Sequence, residues 1–173
     1  MKIIKSEELL RTPIFWVTMD KAIDPEGFEI VRAIIQHDGS SVVMPIDEKG
    51  RALLARQYRL PARDYLWEIP AGRMDPGETP LKAAKRELKE ETGLTAKKWT
   101  KLFSLYMSPG FLAEKMHIYV ARDLKQGATN FMGDERIESR WFTAKEMNEM
   151  IKSGKIIDGK TIVAWLSWRT LFK

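Results

Sequence analysis

Glu87, Glu90 and Glu91 follow one another at i, i+3 and i+4, directly after Arg86. On a helix that spacing brings three carboxylates onto one side. They repel one another unless cations sit among them, and hard divalent ions with oxygen ligands are the natural partners. Glutamates in Lys/Glu-rich helices are commonly a solvated face, so the surrounding residues must decide the reading. From Pro80 to Thr92 the 100° periodicity puts Leu81, Ala84 and Leu88 on an apolar stripe and Lys82, Lys85 and Lys89 on a solvated face. Thr79 suits the N-cap, Pro80 the first helical position and Gly93 the left-handed residue after the last turn. Ahead of the cap, Asp75-Pro76-Gly77 makes a tight turn, and Ala71-Gly72 lets the backbone approach a ligand closely.

Several elements must position this helix. Residues 1–12 are polar and read as a loose arm. Ile14-Phe15-Trp16-Val17 and Phe28-Glu29-Ile30-Val31 flank the turn Asp24-Pro25-Glu26-Gly27, which predicts a hairpin. Strands are expected at Ala33–Ile35, Ser41–Ile46 and Ala52–Gln57, and a short one at Trp67–Pro70 leads into the helix loop. Trp99–Met107 and Lys115–Ala121 read as strands, with Ser108-Pro109-Gly110-Phe111 as the loop between them. A longer loop follows from Gly127 to Glu135, then a strand ending at Arg140-Trp141-Phe142. Thr143 and Glu146 form a capping box for a helix that runs to Ser153. A last helix spans about Asp158 to Leu171, with Ile162, Val163, Trp165 and Leu166 as its buried face. Hairpins mixed with helices predict an α/β sandwich with a mixed sheet, preceded by the N-terminal β-hairpin.

With 173 residues the chain has the size of one domain, and 44% hydrophobic with 31% charged residues is ordinary globular composition. Without cysteine it can form neither a disulfide framework nor a thiolate metal site. His37 and His117 are too few and too far apart to suggest zinc. No apolar run approaches the ~20 residues of a membrane span, and the N-terminus lacks a signal-peptide core, so the expected compartment is the cytoplasm. The net charge of +5 attracts anions, but no basic tract of five or more occurs. A small anionic substrate fits better than a nucleic-acid strand.

The stretch from Gly72 to Leu94 resembles the Nudix box, G-x5-E-x7-R-E-U-x-E-E-x-G-U, with U a bulky aliphatic residue. Gly72, Glu78, Arg86, Glu87, Leu88, Glu90, Glu91, Gly93 and Leu94 meet every fixed position. The resemblance implies an α/β/α sandwich whose loop and helix hold Mg²⁺ or Mn²⁺ against a substrate diphosphate. Glu87 and Glu91, with the Ala71 carbonyl, would be the principal ligands, and Glu90 would bridge or direct water. Glu78 and Arg86 would brace the loop against the helix. Outside the box, Pro109 lies 16 residues after Gly93, which resembles the ADP-ribose pyrophosphatase branch. Arg56-Gln57-Tyr58-Arg59, Trp67-Glu68-Ile69-Pro70-Ala71-Gly72 and Gly154-Lys155-Ile156 are similar to the same branch.

That branch implies a homodimer in which residues 1–35 form a dimerising arm and hairpin and residues 36–173 the Nudix domain. Trp16 would stack the adenine, with Phe15 and Phe28 as rivals. Arg59 and Arg32 would reach the diphosphate, Arg56 and Glu68 would be further substrate-binding residues, and Glu114 beside Pro109 would take ribose hydroxyls. The implied reaction is hydrolysis of ADP-ribose to AMP and ribose 5-phosphate. GDP-mannose, NADH and dinucleoside polyphosphates are alternative substrates, and a non-catalytic nucleotide sensor is the alternative from another class. The resemblance places the general base on the loop before the last strand, where Glu135 is the first candidate and Glu138 and Glu90 stand behind it. Glu135→Gln should lower kcat by about 10²–10⁴-fold. A loss below about tenfold, with a larger one in Glu138→Gln, would move the role to Glu138.

Overall fold

The computed structural model describes residues 1–127 and 138–172. Strands β1 (Lys2–Arg11), β2 (Trp16–Ile23) and β3 (Glu29–Gln36) form an antiparallel sheet in that order. The expected hairpin is β2–β3, and Asp24 builds its turn by accepting from the Glu26 and Phe28 amides, both at 2.9 Å. Two expectations change here. The segment expected as a loose arm, residues 1–12, is instead mostly the strand Lys2–Arg11, paired along its length with β2. All ten residues of β1 are exposed, so no apolar alternation marks it, and backbone pairing holds it in register with help from the Ser6 hydroxyl, which donates to Asp20 at 2.6 Å. Ala33–Ile35 is no separate strand but continues β3.

The remaining sheet is mixed. β4 (Ser40–Pro45) pairs in parallel with β9 (Lys115–Gln126), and β7 (Ala71–Arg73) and β8 (Leu94–Tyr106) flank them antiparallel in the order β7-β4-β9-β8. A second antiparallel group orders β10 (Glu138–Phe142), β5 (Ala52–Arg59) and β6 (Asp64–Glu68). The expected strands are present, several of them longer than their apolar cores.

β4 and the middle of β9 are buried on both faces, which makes them nearly continuous apolar runs. On one face Val42, Met44, Ile118 and Val120 join Phe142, Met147, Ala164 and Trp165 beneath α2 (Ala144–Lys152) and α3 (Gly159–Leu171). On the other, Val43, Tyr119 and Ala121 pack with Ala84 and Leu88 of α1 (Pro80–Thr92). Period two along the strands therefore sorts the core into two layers, the α/β/α arrangement expected.

The helix caps follow the sequence. The Thr79 side chain accepts from the Lys82 amide, Pro80 begins α1, and Gly93 closes it at φ 69°. Thr143 and Glu146 make the reciprocal capping box of α2. The buried face of α3 differs from expectation. Lys160, Thr161, Ala164 and Trp165 are buried, Ile162 and Val163 only partly so, and Leu166 is exposed. Apolar residues surround most of this helix, so periodicity could not choose its inner side. Among the described residues no helix is long and apolar enough to cross a membrane.

Candidate active site

Arg86 is the centre of the site. Its Nε donates to Glu78 Oε1 at 3.3 Å, and Nη2 donates to Glu78 Oε2 at 3.0 Å and to the Arg73 carbonyl at 2.9 Å. Nη1 donates to Glu87 Oε1 at 2.5 Å and to Glu90 Oε2 at 3.1 Å. The hydrogen bond to Glu78, opposed by partial burial and reinforced by Glu87, raises the Arg86 pKa well above its ordinary value. The same bond lowers that of Glu78. Ser41 Oγ donates to the Pro80 carbonyl at 2.7 Å and so fastens the start of α1 to β4.

Gly72 faces Glu87. A Cβ there would lie 1.9 Å from Glu87 Oε1, so only glycine lets the carboxylate pass beneath β7. Glu87 is 8% exposed, and burial pushes its carboxyl up despite the attraction of Arg86. The Ala71 amide, rather than its carbonyl, faces Glu91 and donates to its Oε1 at 3.4 Å. Among the described residues no three His, Cys, Asp or Glu side chains converge as a metal cage. Two of the three helix glutamates turn toward Arg86, the nearest permanent cation.

A second charged group closes the far end of the box. Arg59 forks onto Glu68, with Nε to Oε1 at 2.7 Å and Nη2 to Oε2 at 2.8 Å. Lys160 Nζ donates to the same carboxylate and, at 2.8 Å, to Asp158. Burial alone would raise the Glu68 pKa, but the Arg59 fork and the Lys160 charge reverse it into a net fall. Thr161 Oγ1 accepts from the Ile69 amide at 2.9 Å, tying α3 to the strand end before the box. The sequence reading missed Lys160, Asp158 and Thr161. An inward lysine in the first turn of an apolar helix, beside an aspartate N-cap, was their only signal.

The other expected residues separate into groups. Arg32, Ile30 and Ile34 on one side of β3 line a cavity of about 470 Å³ together with Tyr106 and Pro109–Ala113. Ile35 locks this wall, donating to the Phe111 carbonyl at 2.8 Å and accepting from the Ala113 amide at 2.9 Å. Glu114 follows the loop, half-buried. Trp16 lies under Arg11, whose guanidinium is 5.0 Å from the ring centre, while Phe15 is half-buried in the β1–β2 turn and Phe28 is exposed. Arg56 is not brought to Arg59. It alternates onto the opposite face of β5, over Tyr65 and Trp67, and Glu138 lies beside it at 3.8 Å. Glu138 therefore stands by Arg56. Glu135 lies outside the described residues. A larger hollow of about 560 Å³, lined by Glu146, Glu149, Met150 and Lys155 among others, contains no box residue.

The Nudix domain profile matches residues 36–166. This chain is a Nudix hydrolase. It is 33% identical over 165 residues to an ADP-ribose pyrophosphatase of Bacillus subtilis (strain 168), covering 94% of this chain and 89% of that protein. It is 35% identical to a methanol dehydrogenase activator of Bacillus methanolicus, with the same coverages. A crystal structure of an ADP compounds hydrolase superposes with a TM-score of 0.82 at 26% identity, covering 98% of this chain and 93% of that one.

Nudix hydrolases generally use a divalent metal, and the helix glutamates are of the donor type such an ion takes, although no three of the described acidic side chains converge in this structure. Glu87, Glu90 and Glu91 would supply hard oxygen ligands to it. Gly72→Ala must displace Glu87. Turnover should fall by about 10²-fold, as expected when a positioned group moves by an ångström, while circular dichroism remains native. Activity within threefold of the unmodified protein would mean that the Glu87 position is immaterial.

Proposed function

We propose that this Nudix hydrolase cleaves the diphosphate of ADP-ribose, with Mg²⁺ or Mn²⁺, to AMP and ribose 5-phosphate. The observation that carries this reading is the cavity between β3 and the Pro109 loop, which has the volume of a small-ligand site and the Arg32 side chain in its wall. Pro109, with its fixed φ and missing N–H, stiffens the loop, and Glu114 beside it suits ribose hydroxyls while repelling a third phosphate.

In the proposed reaction water attacks one phosphorus of the diphosphate, the bond to the bridging oxygen breaks, and the departing phosphate keeps the electron pair. A metal held by Glu87, Glu90 and Glu91 with Ala71 would supply charge neutralisation and a lowered water pKa. Arg86 donates hydrogen bonds to Glu78, Glu87 and Glu90 and so holds them in place. Arg59 offers charge-assisted hydrogen bonds to a non-reacting phosphate oxygen. The water's proton goes to a glutamate base, for which Glu135 is our first candidate.

We also propose a homodimer built through the N-terminal sheet. Ile3, Ile4, Leu9, Leu10, Phe28 and Val31 are all about half exposed or more in the single chain, apolar side chains that a second copy would cover. Arg56, directed away from this chain's box, would then be available to the partner.

The substrate is tested by kcat/KM for ADP-ribose, GDP-mannose, NADH and ATP under identical Mg²⁺. ADP-ribose should lead, and a tenfold advantage for any other would reassign the substrate within the family. Light scattering at micromolar concentration should give about twice the 20.0 kDa chain mass. A fully active monomer would refute the dimer.

A further inference from the structure

Arg59 has two possible acceptors, and it already holds one. Its fork is committed to Glu68, whose side chain is only 4% exposed. A guanidinium that must also bind a phosphate has to let go of that carboxylate. Releasing it would strand a buried charge unless another cation remained, and breaking a buried pair from one side is strongly unfavourable.

The remaining cation is Lys160. Its side chain is 10% exposed and its ammonium serves both Glu68 and Asp158, so it is fixed in place. Arg59 is the movable member. Its side chain is 41% exposed, and it ends β5 at the turn where Ala62 donates to its carbonyl at 2.9 Å. Its guanidinium also feels the charge of Glu91 on the box helix, so it stands at the edge of the box. The four side chains balance two positive charges against two negative ones. When Arg59 turns to an anion, Lys160 still lies between both carboxylates. Without Lys160, Arg59 would be the sole counter-ion of Glu68 and would be held there.

We propose that Lys160 is the standing counter-ion of Glu68, a positioning residue that frees Arg59 to exchange its fork from Glu68 onto a substrate phosphate. This rests on the reading of Arg59 as a diphosphate ligand, but not on the identity of the terminal sugar. ADP is therefore the probe, since it carries the adenosine diphosphate without the terminal sugar.

The experiment measures ADP affinity by calorimetry with Mg²⁺, and thermal melting, for the full chain and for Lys160→Met, Glu68→Gln and the double variant. Lys160→Met should weaken ADP by about tenfold or more. Glu68→Gln releases Arg59 and should tighten ADP. The double variant should return to within about threefold of the unmodified protein even though it melts lower, because the buried charge that held Arg59 is gone. A lysine that only supports the fold would give no such recovery. ADP affinity within twofold in Lys160→Met, or a double variant as weak as Lys160→Met, overturns the proposal. Should Lys160→Met fail to fold, Glu68→Gln decides alone. Tighter ADP supports the exchange, and unchanged or weaker ADP overturns it. Failure of the ADP-ribose reading would appear separately, as absent hydrolysis of that compound with the ADP affinities still ordered as stated.

Discussion

Five hydrogen bonds from one guanidinium organise the box. Arg86 serves Glu78, Glu87, Glu90 and the Arg73 carbonyl together, which needs the planar, multiply donating and permanently charged group that only arginine has. Three carboxylates gathered this closely would otherwise repel one another. The contact with the Arg73 carbonyl also binds the loop to the helix, so charge balance and loop shape have a common cause. Gly72 follows from it, because the carboxylate drawn to Arg86 occupies the space of a Cβ.

The site is rigid because strands buried on both faces carry it. β4 supports the box through Ser41 at the start of α1 and through β7 along its edge. At the other end, Thr161 and Lys160 secure Ile69 and Glu68, the residues that lead into the loop. The loop is thus braced by α1 on one side and α3 on the other. Glu87 remains ionisable at a position where burial disfavours its charge, a local cost that functional sites commonly retain.

The N-terminal sheet contributes differently. It packs little apolar surface of its own, yet Ile35 bonds at both ends to the Pro109 loop. β3 therefore becomes one wall of the cavity, and a segment outside the box takes part in shaping what the box can reach.

The local elements were legible because their signals are local. Thr79, Pro80 and Gly93 set the ends of α1, Thr143 and Glu146 began α2, and the Asp24 turn marked the hairpin, each through a hydrogen bond or φ angle within a few residues. The nine fixed box positions likewise carried the resemblance to the family, and the family profile agrees. What the sequence could not show depended on distant partners. β1 has no apolar face and exists by pairing with β2, and the inner side of α3 is chosen by the sheet beneath it. Arg56 and Arg59 sit three positions apart, so strand alternation sends them to opposite faces, and only the surrounding layers decide which one meets the box. Glu68 and Lys160 are 92 residues apart, and their pairing exists only after α3 docks beside the strand that enters the loop. Residue type and spacing determined the chemistry available to this chain, and tertiary packing decided which charges are buried together, because desolvation and pairing are properties of the folded interior.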